Sequence, residues 1–102
     1  MAMAFVQEFA IVDGDMSTTN YDAVAAEIGD NAPDGLIVHT AGFDVDRGVF
    51  RIFDVWESRE AGQRFLDETV MPIIERLAAQ AGEENFTPPG HETWYELHHV
   101  LS

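Results

Sequence analysis

The chain has 102 residues, 46% of them hydrophobic, and carries 19 Asp and Glu against five Arg and no Lys. This length leaves room for one domain, residues 1–102, which alone would bury only about two thirds of the surface that its unfolded chain exposes. The formal net charge of −14 excludes nucleic acid and anionic membranes as partners, because binding them needs clustered cations and the five Arg are scattered.

Cysteine is absent, which removes disulfides, thiolate nucleophiles and thiolate metal sites from consideration. No apolar run approaches the roughly 18 residues that cross a membrane, and the first residues lack a basic segment. We therefore expect a cytoplasmic protein with no membrane partner.

The first predicted elements are a strand and a helix. Residues Ala4–Val12 alternate two largely apolar sets, which predicts a strand with apolar side chains on both faces. A turn over Asp13–Asp15 follows, and Gly29 suits the left-handed position that ends a helix. The helix between them is predicted from apolar residues at helical spacing: Tyr21, Val24, Ala25 and Ile28.

A dense turn signal at residues 31–35 precedes two strands, predicted over Leu36–Phe43 and Val49–Glu57. The loop Asp44–Gly48 between them is short enough for a hairpin, so the two strands should pair antiparallel.

A second helix and a last strand complete the chain. Ser58 can accept a hydrogen bond from the free amides of the turn that follows it, so the helix should begin there. Pro72 lacks an amide hydrogen and crowds the preceding turn, which predicts a kink or restart near Met71. A loop over Gly82–Gly90 then leads to a final strand, predicted from the alternation over Glu92–Leu101.

The order βαββαβ predicts an α+β fold, a ferredoxin-like sandwich with a four-stranded antiparallel sheet and both helices on one face. The uncovered face would also be apolar, because large apolar side chains point both ways along the third strand. Val49, Phe53 and Val55 point to one side, and Phe50, Ile52 and Trp56 to the other. Large exposed apolar patches are unusual in soluble monomers, so we predict a homodimer through the sheet faces.

Several segments resemble one family, the small dimeric α/β-barrel proteins related to antibiotic biosynthesis monooxygenases. The segments are Gly35–His39, Asp54–Ser58, Glu60-Ala61, Phe65 and Pro72. The resemblance implies two ferredoxin-like subunits paired as a dimeric α/β barrel, with a sheet-lined cavity in each. In some members it also implies oxidation of a polyketide-like aromatic without metal or flavin. The same residues have a structural interpretation as caps and packing groups.

Other members of that family degrade haem, using a His of the second helix as the iron ligand with an Asn of the first strand and a Trp. Here residues 58–82 contain no His, and the first strand offers Gln7. Trp56 alone could correspond. We therefore expect no haem and no other cofactor.

Two residues are candidates for acid–base catalysis, Asp54 and His39. A carboxyl such as that of Asp54, removed from water in a central strand without a cation, favours its neutral form and is thereby tuned toward neutral pH. The structural alternative is pairing with Arg51 or a place at a wet pocket edge. If Phe43 lies opposite Val49, His39 points away from Asp54, and a slip of one residue reverses that. The sequence leaves the register open.

Further residues are candidates for binding a substrate: Trp56, Phe53, Arg51, Tyr95 and His98. The aromatic ones could line a cavity or simply pack in the core. His98 and His99, adjacent on a predicted strand, should point to opposite faces, so they cannot chelate a metal together. We expect no metal site.

Two functions follow from the resemblance and the residues. The first is a cofactor-independent monooxygenase acting on a small aromatic or polyketide-like substrate, in which Trp56 positions the ring and Asp54 or His39 removes a phenolic proton. The second is a non-catalytic small-molecule-binding or protein-interaction module of the same fold, whose acidic dimer holds an apolar ligand. An enclosed void of roughly 300 Å³ or more, faced by a polar group and an aromatic, would favour an enzyme or a binder.

Overall fold

The computed structural model describes residues 1–82 and 86–101 of the protein. A short π-helical segment, Leu66–Val70, joins two of its helices. The strands and helices in chain order are β1 (Met3–Ala10), α1 (Thr19–Ile28), β2 (Leu36–Asp44), β3 (Val49–Trp56), α2 (Arg59–Phe65), α3 (Met71–Ala81) and β4 (His91–Glu96).

The four strands form one antiparallel sheet in the order β2-β3-β1-β4, which confirms the predicted ferredoxin-like α+β fold. As expected, β3 is a central strand. Within the described ranges, no helix is long and apolar enough to span a membrane.

The hairpin between β2 and β3 is one residue tighter than the sequence suggested. Asp44 pairs with Val49, so only residues 45–48 form the loop. Asp44 also accepts a hydrogen bond from the Arg47 amide at 3.2 Å, and Gly48 takes a left-handed conformation with φ of 68°. Since the loop length fixes the hairpin register, this tight turn decides which side chains of β2 and β3 share a face.

In the observed register Phe43 lies opposite Phe50, and His39 lies opposite Asp54. Directly opposed residues of an antiparallel pair point to the same face, so His39 and Asp54 are brought together. The register with Phe43 opposite Val49 is therefore wrong, and the alternative that lies one residue away is the one adopted.

A bulge near the start of β2 changes which side chains of this strand share a face. Leu36 pairs with Trp56 while Val38 pairs with Val55, so one extra residue, Ile37, is accommodated between the two pairs. Residues two apart in a regular strand share a face, but the bulge places Leu36 and Val38 on opposite faces.

The second helical region begins and breaks where the sequence predicted. The Ser58 hydroxyl accepts a hydrogen bond from the Ala61 amide at 3.1 Å, which caps α2. The π-helical segment ends just before Met71, whose amide donates to the Leu66 carbonyl. Pro72 follows in the first turn of α3, so the restart expected near Met71 is confirmed.

The last strand is shorter than predicted, because β4 ends at Glu96 and not at Leu101. Glu96 pairs with Met3, the first residue of β1. Leu97 still donates its amide to the Ala2 carbonyl at 3.0 Å, and the chain then leaves the sheet. The predicted loop over 82–90 includes residues 83–85, which lie outside the described residues.

The core lies between the sheet and α2. Phe5 and Trp56 are almost completely buried, and Phe5 stacks on Trp94 with ring centroids 4.3 Å apart. α2 approaches closely at Gly62, where an added Cβ would lie 2.5 Å from Trp94 Cη2 and 3.1 Å from Trp56 Cδ1. A glycine is needed there because any side chain would strike both indoles.

Candidate functional site

Three polar side chains form a continuous hydrogen-bonded chain on the helix-covered face of the sheet. The Tyr21 hydroxyl lies 2.6 Å from Nε2 of His39, and Nδ1 of the same imidazole lies 2.5 Å from Oδ1 of Asp54. We call these three residues the Tyr–His–Asp chain. A hydrogen-bonded tyrosine, histidine and carboxylate in line can hold or move a proton.

Each member of this chain comes from a different element. His39 in β2 and Asp54 in β3 are cross-strand partners, so the hairpin register alone brings them together. Tyr21 reaches them from α1, which is joined to α3 by an ion pair between Glu27 and Arg76 at 2.5 Å. The two strands therefore set the histidine–carboxylate geometry, and α1 supplies the phenol.

The electrostatics favour a basic imidazole. Asp54 is a buried carboxyl, 8% exposed, whereas the His39 side chain remains 40% exposed. The hydrogen bond that His39 donates to Asp54, together with the charge of that carboxylate, raises the pKa of His39 above its ordinary value, although burial opposes this. A carboxylate can only accept, so Nδ1 donates to Asp54 and the lone pair of the neutral ring lies on Nε2.

Tyr21 is held as a neutral phenol. Burial, followed by the negative charges of Asp54 and Asp22, raises the pKa of the Tyr21 hydroxyl above its ordinary value. Its ring is nearly parallel to the imidazole, with an interplanar angle of 4°, and meets Phe50 edge-on at 5.5 Å between centroids. With neutral His39, the hydroxyl donates to Nε2.

Asp54 is not the isolated carboxyl that its sequence position suggested. Its partner is His39, and the alternative partner, Arg51, lies on the opposite face because neighbouring positions of a strand alternate. This arrangement leaves Nε2 of the partly exposed imidazole as the basic atom, and the carboxylate orients the ring through Nδ1.

The five residues considered for substrate binding do not gather around the Tyr–His–Asp chain. Trp56 shares its face but is 2% exposed and packed in the core, 5.6 Å from Phe65 between ring centroids. Its indole Nε1 has no hydrogen-bond partner among the described residues. Three others lie on the uncovered face, Phe53, Arg51 and Tyr95.

The two neighbouring histidines at the end of the chain are also separate from this site. His98 and His99 lie beyond the end of β4, so the strand argument that set them on opposite faces does not apply. His98 is exposed. In the described ranges no three or more His, Asp or Glu side chains are grouped so that they could hold a metal ion.

The uncovered face carries an ion-pair network near the hairpin. Arg51 contacts Glu8 at 2.7 Å and Asp44 at 3.0 Å, and Arg47 approaches Glu8 at 3.5 Å. The hydrogen bond from Arg51, more than any other influence, lowers the pKa of Glu8 below its ordinary value. Both arginines are neutralised by carboxylates of the same subunit.

The same face has an open apolar hollow of about 550 Å³. The end of the chain contributes one wall and the strands the other: Ile37, Val38, Phe53, Val55, Leu97, His99, Val100 and Leu101. A smaller hollow of about 270 Å³ lies beside Thr40 and Arg51. Both hollows are on the other side of the sheet from His39 and Asp54, so neither of them adjoins the basic group.

Sequence reasoning missed Tyr21 as a functional residue. Its helical spacing with Val24, Ala25 and Ile28 marked it only as a packing residue of the first helix. The relevant signal is the hairpin register, because once His39 and Asp54 share the helix-covered face, a polar residue on α1 becomes their natural neighbour.

A solved structure matches the whole chain. It is a putative antibiotic biosynthesis monooxygenase from Chloroflexus aurantiacus J-10-fl, superposed with a TM-score of 0.65 over 100% of this chain and 98% of that one. The likeness establishes the fold. Sequence identity is 16%, no protein-family model matches the chain, and no curated protein matches it.

Proposed function

We propose that this protein is a cofactor-independent monooxygenase acting on a small phenolic, polyketide-like aromatic, with His39 as its base. The observation that carries the proposal is the Tyr–His–Asp chain, in which a buried carboxylate raises the basicity of a partly exposed imidazole. A fold shared with a protein described as a putative antibiotic biosynthesis monooxygenase supports the same reaction class.

The first chemical step is removal of the phenolic proton. Nε2 of neutral His39 accepts it, and the imidazolium that forms is stabilised by Asp54 at Nδ1. Asp54 thus acts as a positioning residue that never contacts the substrate. The product of the step is an electron-rich phenolate.

The second step needs only dioxygen as co-reactant. The phenolate gives one electron to O₂, and the resulting radical pair joins to form a carbon–oxygen bond at the ortho or para ring carbon. The imidazolium returns its proton to give a hydroperoxide. Loss of the remaining hydrogen of that carbon and cleavage of the O–O bond release water and leave a carbonyl. Overall a phenol and O₂ give a quinone and water, so all the electrons that reduce O₂ come from the substrate and no other reductant is needed.

The test is oxygen consumption with a panel of hydroquinone-like phenols. We expect His39→Ala and Asp54→Asn to lower kcat/KM by about 10²- to 10⁴-fold, the range for loss of a positioned base. His91→Ala is the matched control. This exposed histidine of β4 lies opposite Glu8 of β1 and far along the sheet from the Tyr–His–Asp chain. Equal rates for all four proteins would remove His39 and Asp54 from the mechanism.

We further propose that the protein forms a homodimer through the uncovered sheet face. That face exposes apolar side chains: Val38 is 42% exposed, Tyr95 45% and Val100 41%. If each large apolar side chain buried there contributes about 2 kcal/mol, several per subunit offset an association cost of about 4 to 15 kcal/mol. Pairing the sheets would also close the open hollow.

The hollow supports a second candidate function, a non-catalytic module that holds an apolar ligand. About 550 Å³ is enough space for a small molecule, and Phe53 and His99 offer it an aromatic and a polar contact. Mass spectrometry of the purified protein separates the two functions. A retained apolar ligand, lost on Phe53→Asp and unaffected by Asp54→Asn, would favour the binding module.

A further inference from the structure

The Tyr21 hydroxyl occupies the one atom of His39 that the proposed reaction needs. An imidazole has two ring nitrogens, and Asp54 takes Nδ1 at 2.5 Å while Tyr21 takes Nε2 at 2.6 Å. A substrate hydroxyl therefore cannot bond to the base until the tyrosine gives way.

Tyr21 belongs to the same chemical class as the proposed substrate. It is a para-substituted phenol whose ring lies nearly parallel to the imidazole and edge-on to Phe50. The position it fills thus already has the dimensions, the aromatic contact and the hydrogen-bond acceptor that a phenolic ligand requires.

We propose that Tyr21 is a resident stand-in for the substrate, and that a phenol binds by displacing it, with its hydroxyl on Nε2 of His39 and its ring against Phe50. This inference rests on the proposed function in taking His39 as the base. It makes the substrate class specific, namely phenols more acidic than tyrosine. It also makes Tyr21 a residue that competes with substrate and does not assist it.

Displacement is favoured over a relay through the tyrosine. In a relay Tyr21 would pass its own proton to His39 and take one from the substrate, so it would have to ionise in transit. Burial and the nearby carboxylates of Asp54 and Asp22 oppose that ionisation. A more acidic phenol placed directly on Nε2 gives up its proton more readily.

Moving the Tyr21 side chain also costs little free energy and disturbs little packing. α1 contains no buried residue, and Tyr21 itself is only half-buried. Its departure breaks one hydrogen bond between side chains, which is worth about two- to tenfold in an equilibrium constant. The side chain can swing toward solvent without disturbing the core around Phe5 and Trp56.

The experiment uses 4-nitrophenol, whose phenolate is coloured, at a pH where the free phenol is mainly protonated. Tyr21→Phe removes only the competing hydroxyl, so we expect it to bind the probe about two- to tenfold more tightly, with a stronger phenolate band. With a phenol of the oxygen-consumption panel, it should lower KM by a similar factor. Tyr95→Phe is the matched control, since Tyr95 lies on the uncovered face, and it should behave as wild type.

Weaker or unchanged binding by Tyr21→Phe would overturn the inference, and a loss of kcat would replace it with the relay. His39→Gln keeps these outcomes separate from failure of the proposed function. If His39→Gln loses the phenolate band while Tyr21→Phe equals wild type, only the stand-in role fails. If His39→Gln forms the band as well as wild type does, the base itself is wrong.

Discussion

The two faces of one sheet solve the problem of buried charge differently. On the uncovered face, Glu8 and Arg51 are cross-strand partners of opposite charge, so each neutralises the other. On the helix-covered face, the carboxylate of Asp54 faces a histidine, which loses its charge as the pH rises through its raised pKa. A permanent ion pair stabilises structure, whereas a titratable partner leaves a group that can accept a proton. The comparison indicates where chemistry can occur in this fold.

The largest effect we expect comes from placing a charge in the uncovered face. Phe53→Asp removes one large apolar contact per subunit and leaves an unpaired carboxylate in the proposed interface. Two lost contacts of about 2 kcal/mol each should raise the dimer dissociation constant at least about a thousandfold. Sedimentation equilibrium measures this. Val12→Asp, at an exposed site outside the strands, is the control and should remain dimeric.

A wild-type protein that sediments as a single subunit at micromolar concentration would contradict the dimer outright. A Phe53→Asp protein that is still dimeric would place the interface elsewhere.

The next effect concerns the helix-covered face and depends on pH. Because Asp54 raises the pKa of His39 and the base is the neutral imidazole, kcat/KM should rise with pH through a midpoint above about 6.5, the ordinary histidine value. In Asp54→Asn both the rate and that midpoint should fall. NMR titration of the His39 ring gives the same pKa without any substrate. A midpoint that is insensitive to Asp54→Asn would break the link between the pair and the rate.

The same shift has the opposite consequence for stability. A pKa raised by folding means that the folded state binds the proton more tightly, so the stabilisation is complete below the unfolded value of about 6.5. It is lost as the pH rises through the raised pKa of His39. The thermal midpoint difference between wild type and Asp54→Asn should therefore shrink from pH 6 to pH 9. A difference that stays constant over this range would show that the pair is not linked to proton binding.

A smaller effect is expected at Gly62, which supports the helix-covered face. Gly62→Ala places a methyl group 2.5 Å from one indole and 3.1 Å from the other, so α2 must move away from the sheet. Overpacking of this kind costs about 1 to 3 kcal/mol, against about 1 kcal/mol gained from helix propensity. Urea unfolding should show a net loss of about 1 kcal/mol. Gly42→Ala, where an added Cβ meets nothing within 4 Å, is the matched control.

The smallest effect is expected from the ion pairs of the uncovered face. The pKa of Glu8 is lowered by its hydrogen bond from Arg51, so its stabilisation is present above the ordinary glutamate value and lost as the pH falls through the lowered one. Glu8→Gln should lower the thermal midpoint at pH 7 and match wild type near pH 3. If the difference in thermal midpoint between Glu8→Gln and wild type persists near pH 3, Glu8 stabilises the protein through packing and not through its charge.

Side-chain alternation was enough to predict the fold, because the strand and helix periods differ clearly in this chain. The capping serine and Pro72 likewise acted through local chemistry, and both are found where expected. What could not be predicted was the register between His39 and Asp54. It depends on a single residue of loop length, and a shift by one residue reverses every face of a strand.

The end of the chain shows a different limit. Alternation continues in the sequence to Leu101, yet β4 stops at Glu96, opposite the first residue of β1. A pattern within one segment cannot reveal where its neighbour begins. Tyr21 was missed for a related reason, since its partner is 18 residues away and only the tertiary fold joins them.

The bulge at Ile37 divides β2 into two parts, and a different neighbouring element determines the position of each part. Before it, the chain follows α2, where an added Cβ on Gly35 would lie 2.6 Å from Ala61. After it, the hairpin turn alone dictates which way His39 faces. A small movement of α2 can therefore be accommodated at Ile37 without rotating the His39 side chain. Substitutions at His39 or Asp54 can likewise occur without disturbing the packing of α2. An edge strand with such an offset lets the stability and the reactivity of the protein evolve separately.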